Sequence, residues 1–150
     1  MKRNGNIQNE FKLNVPALSI NEGICRAAVG AFVSGLNPTL EELADIKCAL
    51  SEAVTNCIVH AYRQGADEQV GEIYIAVTCY CDRRVKITVR DEGCGIEDIE
   101  AARAPLFTTA SSEERSGMGF SVMEHFTDKV RIWSVPNRGT KITLLKQLRG

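Results

Sequence analysis

The sequence predicts an α/β fold: a two-layer sandwich of a mixed, mostly antiparallel sheet covered on one face by helices. Three observations predict it. Ile73 to Cys81 and Val85 to Val89 alternate apolar with polar residues and are joined by a turn at Asp82-Arg83, the pattern of an antiparallel hairpin. Val130 to Val135 and Thr140 to Leu145 are two more short strands, separated by the turn tetrad Pro136-Asn137-Arg138-Gly139. Both long helical patterns precede the hairpin, so they cover one face of the sheet.

Taken in order, residues 1–6 are polar and frayed. Ile7 to Val15 alternates loosely through Phe11, Leu13 and Val15 and reads as a first strand, ended by Pro16. Ser19-Ile20-Asn21-Glu22 has the capping-box pattern, with Ser19 as N-cap. The helix it opens carries Ile24, Ala27, Ala28, Ala31 and Phe32 on one face, shows Arg26 on another, and ends near Gly35. Thr39-Leu40-Glu41-Glu42 is a second capping box. Its helix carries Leu43, Ile46, Leu50, Ala53, Val54, Cys57 and Ala61 as one apolar stripe and runs to Tyr62. Gln64 to Asp67 is a polar loop. Residues 91–119 are the least regular part, and Phe120 to Phe126 is a short helix.

The 150 residues fit one domain, spanning 1–150, with an ordinary core. At 44% hydrophobic and 25% charged residues, disorder is not expected. The net charge of −1 and the lack of a long Lys/Arg run argue against a nucleic-acid partner. The Arg83-Arg84 pair is explained by a solvated turn. No apolar stretch is long enough to span a bilayer and no signal core follows Met1, so a cytoplasmic protein is expected. The six cysteines lack metal-ligand spacing, and Cys79 and Cys81 read as small hydrophobes on one strand face.

Three stretches carry chemistry. Glu52 and Asn56 are four apart on a helix, one above the other, and point away from the apolar stripe. Cys57, Ile58 and Val59 make this helix end apolar nearly all round, which suggests burial. A buried carboxylate and amide call for a metal ion or a ligand; the alternative is a pair of surface polars. Next, Arg90-Asp91-Glu92-Gly93-Cys94-Gly95-Ile96 follows a strand. Its alternate glycines permit a sharp turn close to a ligand, and Asp91 can accept a hydrogen bond from an amine such as that of adenine. Finally, Arg115-Ser116-Gly117-Met118-Gly119-Phe120 opens the short helix, where exposed N–H groups and the positive dipole end suit phosphate. Leu106 to Glu114 between them is either a lid or a plain surface loop.

In this order the motifs resemble the GHKL ATPase/kinase superfamily, with its Bergerat-type ATP-binding fold. Ser-Glu-Ala-Val-Thr-Asn, Val-Arg-Asp-Glu-Gly-Cys-Gly-Ile, Pro-Leu-Phe-Thr-Thr and Glu-Arg-Ser-Gly-Met-Gly-Phe are closer still to the anti-sigma factor serine kinases, in particular those of sporulation. The likeness runs from about Phe11 to Leu145. Cys57 and Cys94 stand where the family usually has small apolar residues. The resemblance implies ATP and Mg²⁺ as cofactors, Glu52 as general base and Asn56 as the Mg²⁺ ligand. It implies Asp91 and Thr140 at the adenine, and Gly93, Gly95, Gly117, Met118 and Gly119 close to the nucleotide. Thr108 and Thr109 would lie in the lid, and Arg115 would meet phosphate or the partner. Arg26 would dock partner proteins or be a solvated helix charge; His60 would support the site or be structural. The implied activity is phosphorylation of a serine on an anti-anti-sigma partner by a sigma-factor-binding homodimer. The alternatives are a binding module that uses ATP only to set its conformation, and a detached sensor histidine-kinase ATPase domain. The first has no need of a carboxylate at Glu52. The second needs a dimerisation helix pair, for which the roughly 15–20 residues before the first helix leave no room.

Overall fold

The computed structural model describes residues 6–61, 70–103 and 119–149. Its elements run β1 (Ile7–Pro16), α1 (Ile20–Ser34), α2 (Leu40–Asn56), a π-helical turn (Cys57–Ala61), β2 (Glu72–Tyr80), β3 (Arg84–Asp91), α3 (Ile99–Arg103), α4 (Gly119–Phe126), β4 (Lys129–Val135) and β5 (Gly139–Gln147). The five strands form one sheet in the order β1-β2-β3-β5-β4, and every pairing between neighbours is antiparallel.

Alternation decides which face is covered. Ile73, Ile75, Val77 and Cys79 of β2, Val85, Ile87 and Val89 of β3, Ile142 and Leu144 of β5 and Val130 of β4 all point into the core. The helices meet them there with Ile46, Ala49, Leu50, Ala53 and Val54 of α2, Cys25, Val29 and Val33 of α1, and Phe120 and Met123 of α4. Helix α2 packs against both α1 and α4. Phe11 of β1 stacks on Phe32 of α1, with ring centroids 5.2 Å apart. Lys146 of β5 ties the layers together: its Nζ donates to Asp45 Oδ2 on α2 at 3.2 Å and to the Phe126 carbonyl at the end of α4 at 2.9 Å.

The two capping boxes behave differently. Thr39 is extended at ψ 161°, accepts the Glu42 N–H and receives the Glu42 carboxylate on its own N–H, so the box closes. Ser19 does not cap its helix. Its backbone is helical (φ −53°, ψ −37°), which turns the hydroxyl away from the third N–H, and no side-chain cap bond forms. Glu22 lies instead 3.3 Å from Arg26 Nη1.

The expected apolar face of α1 is also corrected. Cys25, Val29, Gly30 and Val33 are buried, whereas Ile24, Ala27 and Ala31 are exposed, Ile24 at 52%. Gly30 is buried, with the Lys47 side chain of α2 lying over it.

Three smaller differences concern the ends of elements. Cys81 lies past the end of β2 and is exposed, while Cys79 is buried. Residues 99–103 form the short helix α3 inside a stretch expected to be irregular. Arg83, expected in a solvated turn, sits at φ 71° and donates from Nη1 to the Leu36 carbonyl at 2.8 Å, which anchors the hairpin to the end of α1.

Candidate functional site

Strand β3 ends at Asp91, opposite Thr140 at the start of β5. The Asp91 carboxylate is 6% exposed. Its Oδ1 accepts the Gly93 N–H at 2.9 Å and the Thr140 N–H at 3.2 Å. Its Oδ2 accepts the Cys57 thiol at 3.5 Å. Burial pushes the Asp91 carboxyl above its usual range, against the opposing pull of these hydrogen bonds and of Arg90. Burial, and then the Asp91 charge, hold the Cys57 thiol well above its ordinary value, so the sulfur keeps its proton and donates.

The loop after Asp91 is wedged between the end of α2 and the β4–β5 turn. A Cβ on Gly93 would fall 2.2 Å from the Ala61 carbonyl oxygen. The Cys94 N–H donates to that same oxygen at 2.8 Å, and the Cys94 thiol reaches the His60 carbonyl at 3.3 Å. Across the loop, the Asn137 N–H donates to the Cys94 carbonyl at 2.6 Å. Gly95 has φ +74° and backs onto the Val135 carbonyl. The π-helical turn thus offers carbonyls at His60 and Ala61 that the loop takes up, as an opened helix end requires.

Ser134 of β4 knits the other side. Its Oγ accepts the Ile96 N–H at 2.8 Å and donates to the Gly139 carbonyl at 3.0 Å. That spends its one proton, so the 2.8 Å contact with Thr140 Oγ1 is donated by Thr140.

Glu52 and Asn56 occupy successive turns of α2, both half-buried. The Asn56 Nδ2 is buried without a hydrogen-bond partner among the described residues. Asn56 immediately precedes Cys57, whose thiol touches Asp91, so the helix end and the strand end converge at one place.

A family model described as a histidine kinase-like ATPase domain matches residues 16–146. The anti-sigma F factor of Bacillus subtilis is 50% identical over 142 residues, 95% of this chain and 94% of the relative. That of Clostridium perfringens is 47% identical, over 95% and 99%. The chain belongs to the anti-sigma F factor family of histidine kinase-like ATPase domains. Solved structures carry the same fold. The RsbU and RsbW domains of a Mycobacterium tuberculosis protein superpose with TM-score 0.69 at 22% identity, over 95% of this chain and 34% of that one. The SiaB–SiaC complex of Pseudomonas aeruginosa gives 0.63 at 13%, over 94% and 90%.

For a member of this family, Asp91, Thr140, Gly93 and Gly95 gather around the strand end, and Glu52 and Asn56 stand on the adjoining helix. Gly119 opens α4 and is buried. Thr108, Thr109, Arg115, Gly117 and Met118 lie outside the described residues, as does the expected lid. Arg26 is exposed on α1, where it pairs with Glu22. Gly93 and Gly95 meet the chain's own backbone at Ala61 and Val135, a demand that nothing local in the sequence signals. The expected all-round burial of the helix end is partial: Ile58 and Val59 are half-buried like Glu52 and Asn56. Sequence reasoning missed two residues of the site. Cys57 lies 34 residues from Asp91, and Ser134 sits in an unremarkable strand. The packing of the helix end on the sheet brings the first into view, and the β4–β5 pairing the second.

Among the described residues, no group of three His, Cys, Asp or Glu is placed to hold a metal by itself. No helix among them is long and apolar enough to cross a membrane.

Proposed function

We propose that the chain is a cytoplasmic anti-sigma factor that is also a protein-serine kinase, using Mg-ATP to phosphorylate a serine of an anti-anti-sigma protein. The relatives' name is anti-sigma F factor, which supports a sporulation sigma factor as the protein held. The observation that carries the enzymatic half is Asn56. Its Nδ2 is buried and, among the described residues, unpartnered, one helical turn from a carboxylate. An orphaned amide donor suits a phosphate oxygen, and the amide oxygen beside it suits a hard cation. Mg²⁺ keeps most of its waters and takes one or two protein ligands together with substrate phosphates, so Asn56 fits it.

When bound, the metal and triphosphate supply charge neutralisation and the phosphoryl group to be transferred. The chain's residues do the rest. Asp91 accepts a hydrogen bond from the adenine amine, with Thr140 beside it. Gly93 and Gly95 shape the loop at the base and Gly119 presents its N–H at the start of α4; Gly117, Met118, Thr108 and Thr109 are given to the nucleotide by the family resemblance alone. Arg115 meets phosphate or the partner. Glu52 takes the proton from the partner's serine as the oxygen–phosphorus bond forms and ADP leaves. Arg26, exposed on α1 and paired there with Glu22, is the cation that would dock a partner protein.

The deciding experiment incubates the chain with labelled ATP, Mg²⁺ and an anti-anti-sigma protein. Glu52→Gln is expected to keep ATP binding and to lose transfer by at least about a hundredfold. Transfer at the original rate by that variant removes Glu52 from the role of base.

A further inference from the structure

We infer that Cys57 is a positioning residue for base recognition: its thiol fixes the Asp91 carboxylate so that one acceptor position, on Oδ2, is left for the amine of the nucleotide base. The inference rests on the reading of Asp91 given above and goes beyond it by assigning a second residue to specificity.

The argument is a count of lone pairs. Asp91 Oδ1 takes two backbone N–H bonds, from Gly93 and Thr140, which fills it. Oδ2 takes the Cys57 thiol at 3.5 Å, which leaves it one further acceptor direction. With the two N–H bonds alone, the carboxylate remains free to rock about its last torsion. The thiol removes that freedom by holding the second oxygen from the core side, where Cys57 is 1% exposed. An acceptor held this way welcomes an N–H donor and rejects a carbonyl oxygen in the same position, so it separates 6-amino from 6-oxo purines. The thiol belongs to the first residue of the π-helical turn, directly after Asn56. The same short stretch therefore sets both the amide facing the phosphates and the donor behind the base-reading carboxylate.

The test compares Kd values for ATP and inosine triphosphate, which carries an oxygen in place of the 6-amino group, in the full chain and in three variants. The original chain prefers ATP, and Asp91→Asn loses the preference. Cys57→Ala is expected to reduce the ATP-to-inosine-triphosphate preference about three- to tenfold, with inosine triphosphate binding nearly unchanged. Cys57→Ser, which restores a donor, is expected to recover most of it. Equal weakening of both nucleotides by Cys57→Ala, or an unchanged ratio, overturns the positioning role while leaving Asp91 in place. A chain that never preferred ATP, or a preference that survives Asp91→Asn, overturns the base-reading assignment itself and the inference with it. A second readout needs no nucleotide. The infrared S–H stretch assigned by difference against Cys57→Ala is expected at lower frequency in the original chain than in Asp91→Asn. No difference between those two overturns the hydrogen bond.

Discussion

Gly93 lies so close to Ala61 that a methyl group on it would meet the Ala61 carbonyl oxygen at 2.2 Å. Neither backbone can retreat, because the Cys94 N–H is bonded to that same oxygen. Gly93→Ala is therefore expected to cost about 1–3 kcal/mol and to lower Tm by several degrees. Displacing the loop also moves the N–H that holds Asp91 Oδ1, so ATP binding should weaken along with it. Gly23→Ala is the matched control. Its Cβ would meet nothing nearer than Arg26 Nη2 at 3.9 Å, so it should stabilise α1 by about 0.5–1 kcal/mol. Thermal denaturation of both variants reads the contrast, and a Gly93→Ala chain as stable as the original refutes the close approach.

The two capping-box sequences predict opposite results for the same kind of substitution. Thr39→Ala removes the hydroxyl that accepts the Glu42 N–H, keeping only the backbone half of the box, and should cost about 1 kcal/mol. Ser19→Ala removes a hydroxyl that caps nothing and should leave stability within about 0.5 kcal/mol of the original. Denaturant midpoints measured on the two variants check both values.

That contrast shows how far the sequence could be read. The strands were legible because alternation is a local signal: Ile73, Ile75 and Val77 face the core wherever the sheet goes. The pair Glu52 and Asn56 was legible for the same reason, a spacing fixed by the helix itself. The rotation of α1 was not. Ala27, Ala28 and Ala31 are small enough to suit either side, and which stripe is buried depends on how α1 packs against α2 and the sheet. Ser19 likewise fits a cap in composition, but its backbone is set by how the chain leaves Pro16, where the Asn21 side chain donates to the Pro16 carbonyl. The thiol of Cys57 on Asp91 and the contact of Gly93 with Ala61 join segments that only the folded sheet and helix bring together.

The burial of Asp91 gives stability a pH dependence of definite sign. Its folded-state pKa stands above the ordinary 3.8, so the native state holds this proton more tightly than the unfolded chain. The favourable contribution is complete below the ordinary value and is lost as pH rises through the raised, folded value. Asp91→Asn removes the penalty. Its amide oxygen still accepts the Gly93 and Thr140 N–H groups. The Tm of the variant minus that of the original chain should therefore rise with pH across this window and level off above it. A difference that stays flat with pH means that burial does not hold the carboxyl up.

Lys146 is 16% exposed and Asp45 21% in side-chain terms, so their ion pair is partly shielded from water. Lys146 also satisfies the Phe126 carbonyl at the end of α4. Lys146→Met keeps the aliphatic stem and removes both interactions. It is expected to cost about 1–2 kcal/mol, because a carboxylate and a helix-end carbonyl lose their donor together. Salt should weaken the original pair only slightly, given its shielding. A variant with unchanged Tm would show that water replaces the ammonium at both acceptors.

Ser134→Ala tests the far wall of the site. The substitution leaves the Ile96 N–H without its acceptor and releases the Thr140 hydroxyl, which now donates to Ser134. The loss at Ile96 should cost about 1–2 kcal/mol of stability. The freed Thr140 hydroxyl is a separate effect. It sits one residue from the Gly139 turn, in the strand position that faces Asp91, and once unbound it rotates without a fixed partner. ATP affinity should fall about three- to tenfold, while affinity for inorganic triphosphate, which lacks the base, should not change. Both affinities falling together would place the effect in the loop as a whole, and neither falling would remove Thr140 from the base-binding wall.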